Sequence, residues 1–349
     1  MNVGVFAWQN NKQARQLHNI LNAFIPGSAI QYDLALDQPD QCSMDAAGIE
    51  WNRLALSPAV PSLAESQSIA FLHGFSYCDP VIPPCDSATD VDWSLWRFDY
   101  IASQQKYSFL YSVFSELQRR GVKIVNAPDA QLSVFMKPFL LEQLRQAKFN
   151  VPSTLCTNNM GIAKEFCASA GRVFWRPATG RAAWQMFLKR QREALISNKK
   201  PPVLLAEGVE GPFMAGYYFE GKLLLLLERK SPCLVPEETL ESFRIVDQKT
   251  APPELARICG VLKIPWLQVL FVLKDGKAWI YDIDADPLFE GLPAVYSEIL
   301  SARLAAALLN MDATAMKESL QSKETGQRPT LFLRRMLQIL FEFEQSKYA

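Results

Sequence analysis

Histidine is scarce in this chain, its cysteines form no pairs, and neither sign of charge predominates. His18 and His73 are the only histidines among 349 residues, and neither GxSxG nor HExxH occurs. A histidine-based triad or a zinc hydrolase is left with few candidates. The seven cysteines (Cys42, Cys78, Cys85, Cys156, Cys167, Cys233, Cys259) are odd in number and irregularly spaced, with no CxxC. That pattern disfavours a disulfide framework and a structural zinc site, and suits reduced, mostly buried thiols. Lys+Arg and Asp+Glu both number 36. A chain without net positive charge makes a poor general binder of nucleic acid or anionic membrane. The apolar run Leu223 to Leu227, flanked by Lys222 and Glu228, falls far short of the ~20 residues a bilayer span needs. Met1 to Trp8 lacks the basic and apolar regions of a signal peptide, so a cytoplasmic location is expected.

What is present is ordinary globular material, 49% hydrophobic and 21% charged, long enough for two or three domains at roughly 150 residues each. Val3 to Ala7 reads as a strand, Leu17, Ile20, Leu21 and Phe24 recur at helical spacing, and Ile30 to Leu36 is apolar again. The turn between them, Trp8 to Lys12, has no GxGxxG, so this α/β opening lacks the dinucleotide fingerprint. After the strand Ile69 to Leu72, a loop punctuated by Gly and Pro carries His73, Cys78 and Asp79 and runs on to Arg97. It is either a pocket wall or a Pro-stiffened surface loop. A helix over 98–120 stops at Arg119-Arg120-Gly121, and Val122 to Val125 is the next strand. Asp129 could cap a further helix running through Phe135, Leu140, Leu141 and Leu144.

The second half reads as strands at Arg172 to Pro177 and Val203 to Glu207, then two hairpin-like units. The first turns between Phe219 and Leu223, and the second joins Trp266–Leu273 to Trp279–Ile283 through Asp275-Gly276. The second hairpin ends in Asp282-Ile-Asp284-Ala-Asp286-Pro287. Strand alternation puts Asp282 and Asp284 on one face about 7 Å apart, and carboxylates so close call for a cation such as Mg²⁺. An acidic strand end in water is the alternative. Lys137 follows a helix start, and Arg176 and Arg229 end apolar strands, which is where a polyphosphate would need positive charge. No GxxxxGK[ST] occurs, so a P-loop is excluded.

In this order the segments resemble the ATP-grasp superfamily, in particular the branch of ribosomal-protein glutamate ligase, glutathione synthetase and peptide-maturation ligases. The resemblance is carried by Asn126, Lys137, Val151-Pro-Ser-Thr154 with Thr157-Asn158, Trp175-Arg176-Pro177 before Gly180, the hinge Ala206-Glu207-Gly208-Val209-Glu210-Gly211, Arg229, and Asp282-Ile-Asp284-Ala-Asp-Pro287 followed by Glu290-Gly291. It implies an α/β pre-ATP-grasp domain at 1–126, ATP-grasp subdomains of α+β type at 127–205 and 206–310, and a helical extension at 311–349. It also implies ATP and Mg²⁺ as cofactors, and an acyl-phosphate route joining a small-molecule or peptide carboxylate to an amine. Lys137, Arg176, Gly180, Arg181, Glu207, Gly208 and Glu210 would hold the nucleotide, Asp282, Asp284 and Asp286 the metal, and Arg176 and Arg229 would serve catalysis. His73, Cys78, Asp79 and Arg97 would contact the acceptor.

Four departures accompany the resemblance. Arg176 replaces a Lys, the mobile loop keeps one Gly and adds Arg181, Met214 falls where an Arg is expected, and Leu270 stands where a second metal-ligating acid would be. Two readings remain open: a divergent ligase, or a degenerate member acting as a nucleotide- or peptide-binding partner subunit. Leu333, Met336, Leu337, Leu340 and Phe341 predict a helix in Leu331–Tyr348, packed on the body or forming a homodimer interface.

Overall fold

The computed structural model describes residues 2–8, 11–34, 42–44, 49–51, 68–74, 93–180, 182–188, 196, 200–229, 243–287 and 292–311. The chain divides into two units, Met1–Asp129 and Ala130–Ala349.

In the first unit β1 (Val3–Ala7) leads into α1 (Lys12–Phe24) and β2 (Ala29–Asp33), followed by a small ladder of β3 (Cys42–Met44) and β4 (Ile49–Trp51). Then come β5 (Ile69–Leu72), the long helix α2 (Trp93–Arg119) and β6 (Lys123–Val125). The main sheet is parallel throughout, in the order β2-β1-β5-β6. Its two central strands, β1 and β5, are buried along their whole length, as a parallel sheet covered on both faces requires. Leu17, Ile20, Leu21 and Phe24 form the buried stripe of α1, whose Asn11 caps the helix by accepting from Ala14 N–H at 2.9 Å. On α2, Leu110, Val113, Phe114 and Leu117 meet Phe6, Tyr32 and Leu72 in one core.

The second unit starts with two helices where the periodicity predicts one: α3 (Pro128–Phe135), straddling the boundary, and α4 (Lys137–Gln146). Pro138 explains the break, since a proline removes one helical donor and its ring clashes with the carbonyl four residues back. Met136, between the helices, bridges Thr179 instead, with Lys137 N–H donating to Ala178 O at 3.2 Å and Gly180 N–H to Phe135 O at 3.3 Å. Asp129 lies in the first turn of α3 rather than capping it, and accepts a hydrogen bond from Tyr111 within the first unit. Next come β7 (Thr154–Thr157), α5 (Met160–Ala170), β8 (Val173–Pro177), β9 (Gln185–Met186) and β10 (Val203–Glu207), with the antiparallel sheet order β7-β10-β8-β9.

A second antiparallel sheet gathers both hairpins, β11 (Phe213–Phe219) with β12 (Lys222–Arg229) and β14 (Trp266–Lys274) with β15 (Lys277–Asp284), plus β13 (Phe243–Ile245). Its order, β13-β12-β11-β14-β15, places the two hairpins side by side through β11 and β14. The short α6 (Ile258–Leu262) precedes β14, and α7 (Ala294–Leu308) follows β15. A single apolar core joins Leu140, Leu141 and Leu144 of α4 to Phe174 and Leu204 of the first sheet and to Leu226, Val269, Phe271 and Ile283 of the second. No helix among the described residues is long and apolar enough to cross a membrane. The expected helix in 331–348 lies outside the described residues.

Candidate functional site

Three elements of the second unit bring one charged cluster together. Lys137 opens α4, Arg176 lies in β8 and Asp282 in β15. Lys137 and Arg176 are 3% and 1% exposed, and Asp282 is 8% exposed. The Lys137 Nζ stands 2.8 Å from Asp282 Oδ1 and also donates to the Ile283 carbonyl at 2.8 Å. Arg176 pairs with the other oxygen, Asp282 Oδ2, and donates to Gly180 O at 2.7 Å. Gly180 can present that carbonyl because its φ of 77° is one a side chain disfavours.

Within the cluster two cations pair directly with one carboxylate, and the half-buried Asp284 adds a further negative charge acting on Lys137. Burial raises the Asp282 carboxyl, but Arg176 and Lys137 outweigh it by charge and hydrogen bonding, and its pKa falls below the ordinary carboxylate value. Burial pulls the Lys137 ammonium below the usual lysine range; Asp282 opposes that pull and Arg176 adds to it. The Arg176 Nε is buried without a hydrogen-bond partner. Two buried cations that share one carboxylate, one of them with an unmet donor, favour an anion.

The other predicted residues are dispersed. Asp284 is half-buried and its Oδ1 accepts from Asp286 N–H at 2.9 Å, while Asp286 itself is buried. Among the described residues no group of three or more His, Cys, Asp or Glu is placed to hold a metal. The three aspartates therefore do not make a cage by themselves, whereas Mg²⁺ commonly uses one or two carboxylates with substrate phosphates. Leu270 sits directly across the ladder from Asp282, so the departure noted in the sequence lies beside the charged cluster. Arg229 is buried on β12, three strands or about 14 Å from β15, with its guanidinium 5.3 Å from the Phe243 ring. Glu210 is exposed, and Arg181, Cys78 and Asp79 lie outside the described residues.

For two of the expected acceptor contacts the placement on an open loop is corrected. His73 is no open loop residue: it is 1% exposed, with its Nε2 2.6 Å from Gln13 Oε1. The apolar strand before it continues its burial. Arg97 is exposed but lies within α2, because the helix starts five residues earlier than the periodicity indicates.

The hinge after β10 holds what residue patterns missed. Glu207 N–H donates to Ser153 O at 2.9 Å and Gly208 N–H to Arg172 O at 2.7 Å, so the Gly208 amide is turned away. The inward-facing pair is the Glu207 carbonyl and the Val209 N–H. Both are taken by one hydroxyl: Tyr281 donates to Glu207 O at 2.6 Å and accepts from Val209 N–H at 2.7 Å. The Tyr281 ring is 2% exposed, with Trp184, Phe213 and Phe174 centred 5.9, 5.9 and 6.1 Å away. Trp184 Nε1 donates to the Tyr281 carbonyl at 3.2 Å, and Arg176 lies over the Trp184 ring at 5.6 Å. Burial pushes the Tyr281 pKa up to about 12, so the hydroxyl stays neutral and serves as donor and acceptor together.

Alternation alone would place Tyr281 opposite Asp282, on the other face of the sheet. The register shifts between Leu270 and Phe271, which pair with Asp282 and Ile280, leaving Tyr281 as the extra residue of a bulge. Such an insertion re-aims side chains. The only sequence signal was an aromatic residue beside an acid.

This arrangement has clear structural relatives. The chain superposes on the ATP-grasp ligase PsnB complexed with precursor peptide PsnA2 and AMPPNP with a TM-score of 0.66, at 16% identity, covering 88% of this chain and 96% of that one. The macrocyclase MdnC bound with precursor peptide MdnA from Microcystis aeruginosa MRC gives 0.66 at 12% identity, with coverages of 89% and 100%. The chain has the ATP-grasp fold. A Chryseobacterium gregarium ATP-grasp ligase, RiPP-associated and in complex with ADP and a leader and core peptide, gives 0.65 at 12% identity, with coverages of 89% and 97%. No protein-family model and no curated protein matches the chain. Set on the ATP-grasp fold, the resemblance first carried by short sequence segments extends over nearly the whole chain.

Proposed function

We propose that this chain is an ATP-dependent ligase that joins a carboxylate to an amine, with a peptide supplying one of the two groups. The observation that carries the reading is the buried meeting of Lys137, Arg176 and Asp282, two cations on one carboxylate. The peptide part rests on the fold neighbours, several of which were solved with precursor peptides.

At their charged end the residues suit a magnesium nucleotide. Lys137 and Arg176 would exchange Asp282 for phosphate oxygens, and Arg176 Nε would gain the acceptor it lacks. Asp282, released from both cations, would be free to face a divalent ion, with Asp284 and Asp286 as the nearest further carboxylates in sequence. Gly180, Arg181, Glu207, Gly208 and Glu210 would complete the nucleotide's surroundings, and Arg229 would steady the developing charge on the carboxylate substrate. Bound ATP supplies the phosphoryl group that turns a carboxylate into an acyl phosphate open to attack by an amine. At the other end the fit is poorer, because Tyr281 already holds the hinge groups that a base would use.

That feature, with Leu270 opposite Asp282, favours a second reading in which the fold serves as a binding subunit without turnover. Calorimetry with Mg²⁺ and ATP tests the first reading. Binding should be measurable and weakened about tenfold or more by Lys137→Gln, which loses a charge-assisted contact. No heat at millimolar nucleotide would sink it. ADP release dependent on a peptide separates the ligase from the binding subunit.

A further inference from the structure

Tyr281 stands out because one side chain satisfies a carbonyl and an N–H two residues apart on a hinge. A hydroxyl that donates to Glu207 O and accepts from Val209 N–H presents the same donor and acceptor as the edge of adenine, whose amino group donates and whose N1 accepts. Guanine presents the reverse, an acceptor O6 and a donor N1–H, which the same hinge would repel. The ring beneath the hydroxyl is packed by Phe174, Trp184 and Phe213, so the space beside the hinge is filled as well as its polar groups. The main chain of Tyr281 is tied in turn by Trp184 Nε1.

We propose that Tyr281 is a built-in occupant of the base subsite, so that the chain holds a nucleotide by its phosphates and does not read its base. This rests on the nucleotide reading given above. It adds a specificity-determining residue: the hinge can select adenine only when Tyr281 is gone.

The test compares Mg²⁺–ATP with Mg²⁺–GTP by calorimetry on the full chain. Wild type should bind the two with similar affinity. Tyr281→Ala opens the subsite and bares the Glu207 carbonyl and the Val209 N–H. It should prefer ATP over GTP by about tenfold or more, the value of one or two well-made hydrogen bonds. Tyr281→Phe keeps the ring, so it should show no base preference, but hydrogen exchange at the Val209 amide should quicken because its acceptor is lost. This last measurement needs no nucleotide and holds even if Tyr281→Ala fails to fold.

A wild-type preference for ATP of about tenfold or more would overturn the proposal while leaving the ligase reading intact. Unchanged Val209 exchange in Tyr281→Phe would overturn the role of the hydroxyl. If wild type binds neither nucleotide but Tyr281→Ala binds ATP, Tyr281 is the occupant of the base subsite, while holding by the phosphates alone is overturned together with the wild-type ligase reading. Binding by no form overturns both.

Discussion

Around Asp282 the chain buries three charges, whereas around Tyr281, the adjoining residue, it buries four aromatic rings. The charged end is incompletely matched: two cations share one carboxylate, and Arg176 Nε has no hydrogen-bond partner. The aromatic end is closed, since one hydroxyl settles both hinge groups and the Phe174 and Trp184 rings meet Tyr281 edge to face. A buried excess of charge costs stability unless a ligand completes it, while edge-to-face rings add about 0.5–1.5 kcal/mol per pair beyond the burial of their surface. On the function proposed above, the charged end would meet phosphate and the aromatic end would refuse a base.

The largest expected effect lies at the charged end. Asp282→Asn would leave Lys137 and Arg176 buried against each other, a loss of about 3–5 kcal/mol readable as a fall in the urea midpoint of the second unit. A change below about 1 kcal/mol would mean that the cations reach water, and the contrast between the two ends would collapse. At the aromatic end, Tyr281→Phe strands the Glu207 carbonyl and the Val209 N–H and should cost about 1–3 kcal/mol in the same assay.

The charged end alone should also respond to pH. Asp282 has its pKa lowered by folding, so its contribution is full above the unfolded carboxylate value and is lost as pH falls through the folded one. Lys137 is also lowered, which for a lysine means a cost at neutral pH that is relieved as pH rises from its folded value toward the ordinary lysine value. Thermal melts should therefore weaken in acid and gain on the alkaline side. The alkaline gain should vanish in Lys137→Met; its persistence there would assign it to another group. The smallest effect belongs to the half-buried Glu116, held down to about 2 by hydrogen bonds from Arg119 and Arg120 at the end of α2. Glu116→Gln should leave the neutral-pH melt nearly unchanged, as surface pairs do, and remove only a small contribution that fades as pH drops toward that value.

Much of the frame was legible from local pattern. The strands Val3–Ala7, Ile69–Leu72 and Val203–Glu207 occur with the expected bounds, and the Asp275-Gly276 turn joins β14 to β15. Lys137, Arg176 and Asp282, which the resemblance assigned to one site, share one cluster. Less legible were the break between α3 and α4, which depends on a bridge from Met136 to Thr179, and the burial of His73 by Gln13, sixty positions away.

By itself the sequence determined the elements and the chemistry available to them, because apolar periodicity, Pro and Gly act within a few residues. The tertiary structure decided which charges meet. Arg176 and Asp282 are 106 positions apart, and Lys137 reaches Ile283 across 146, so no spacing rule could have joined them. It also decided where Tyr281 points, through one extra residue in a strand ladder. A bulge is set by how two strands pair and not by the residues of either, and here it turned an unremarked tyrosine toward the hinge.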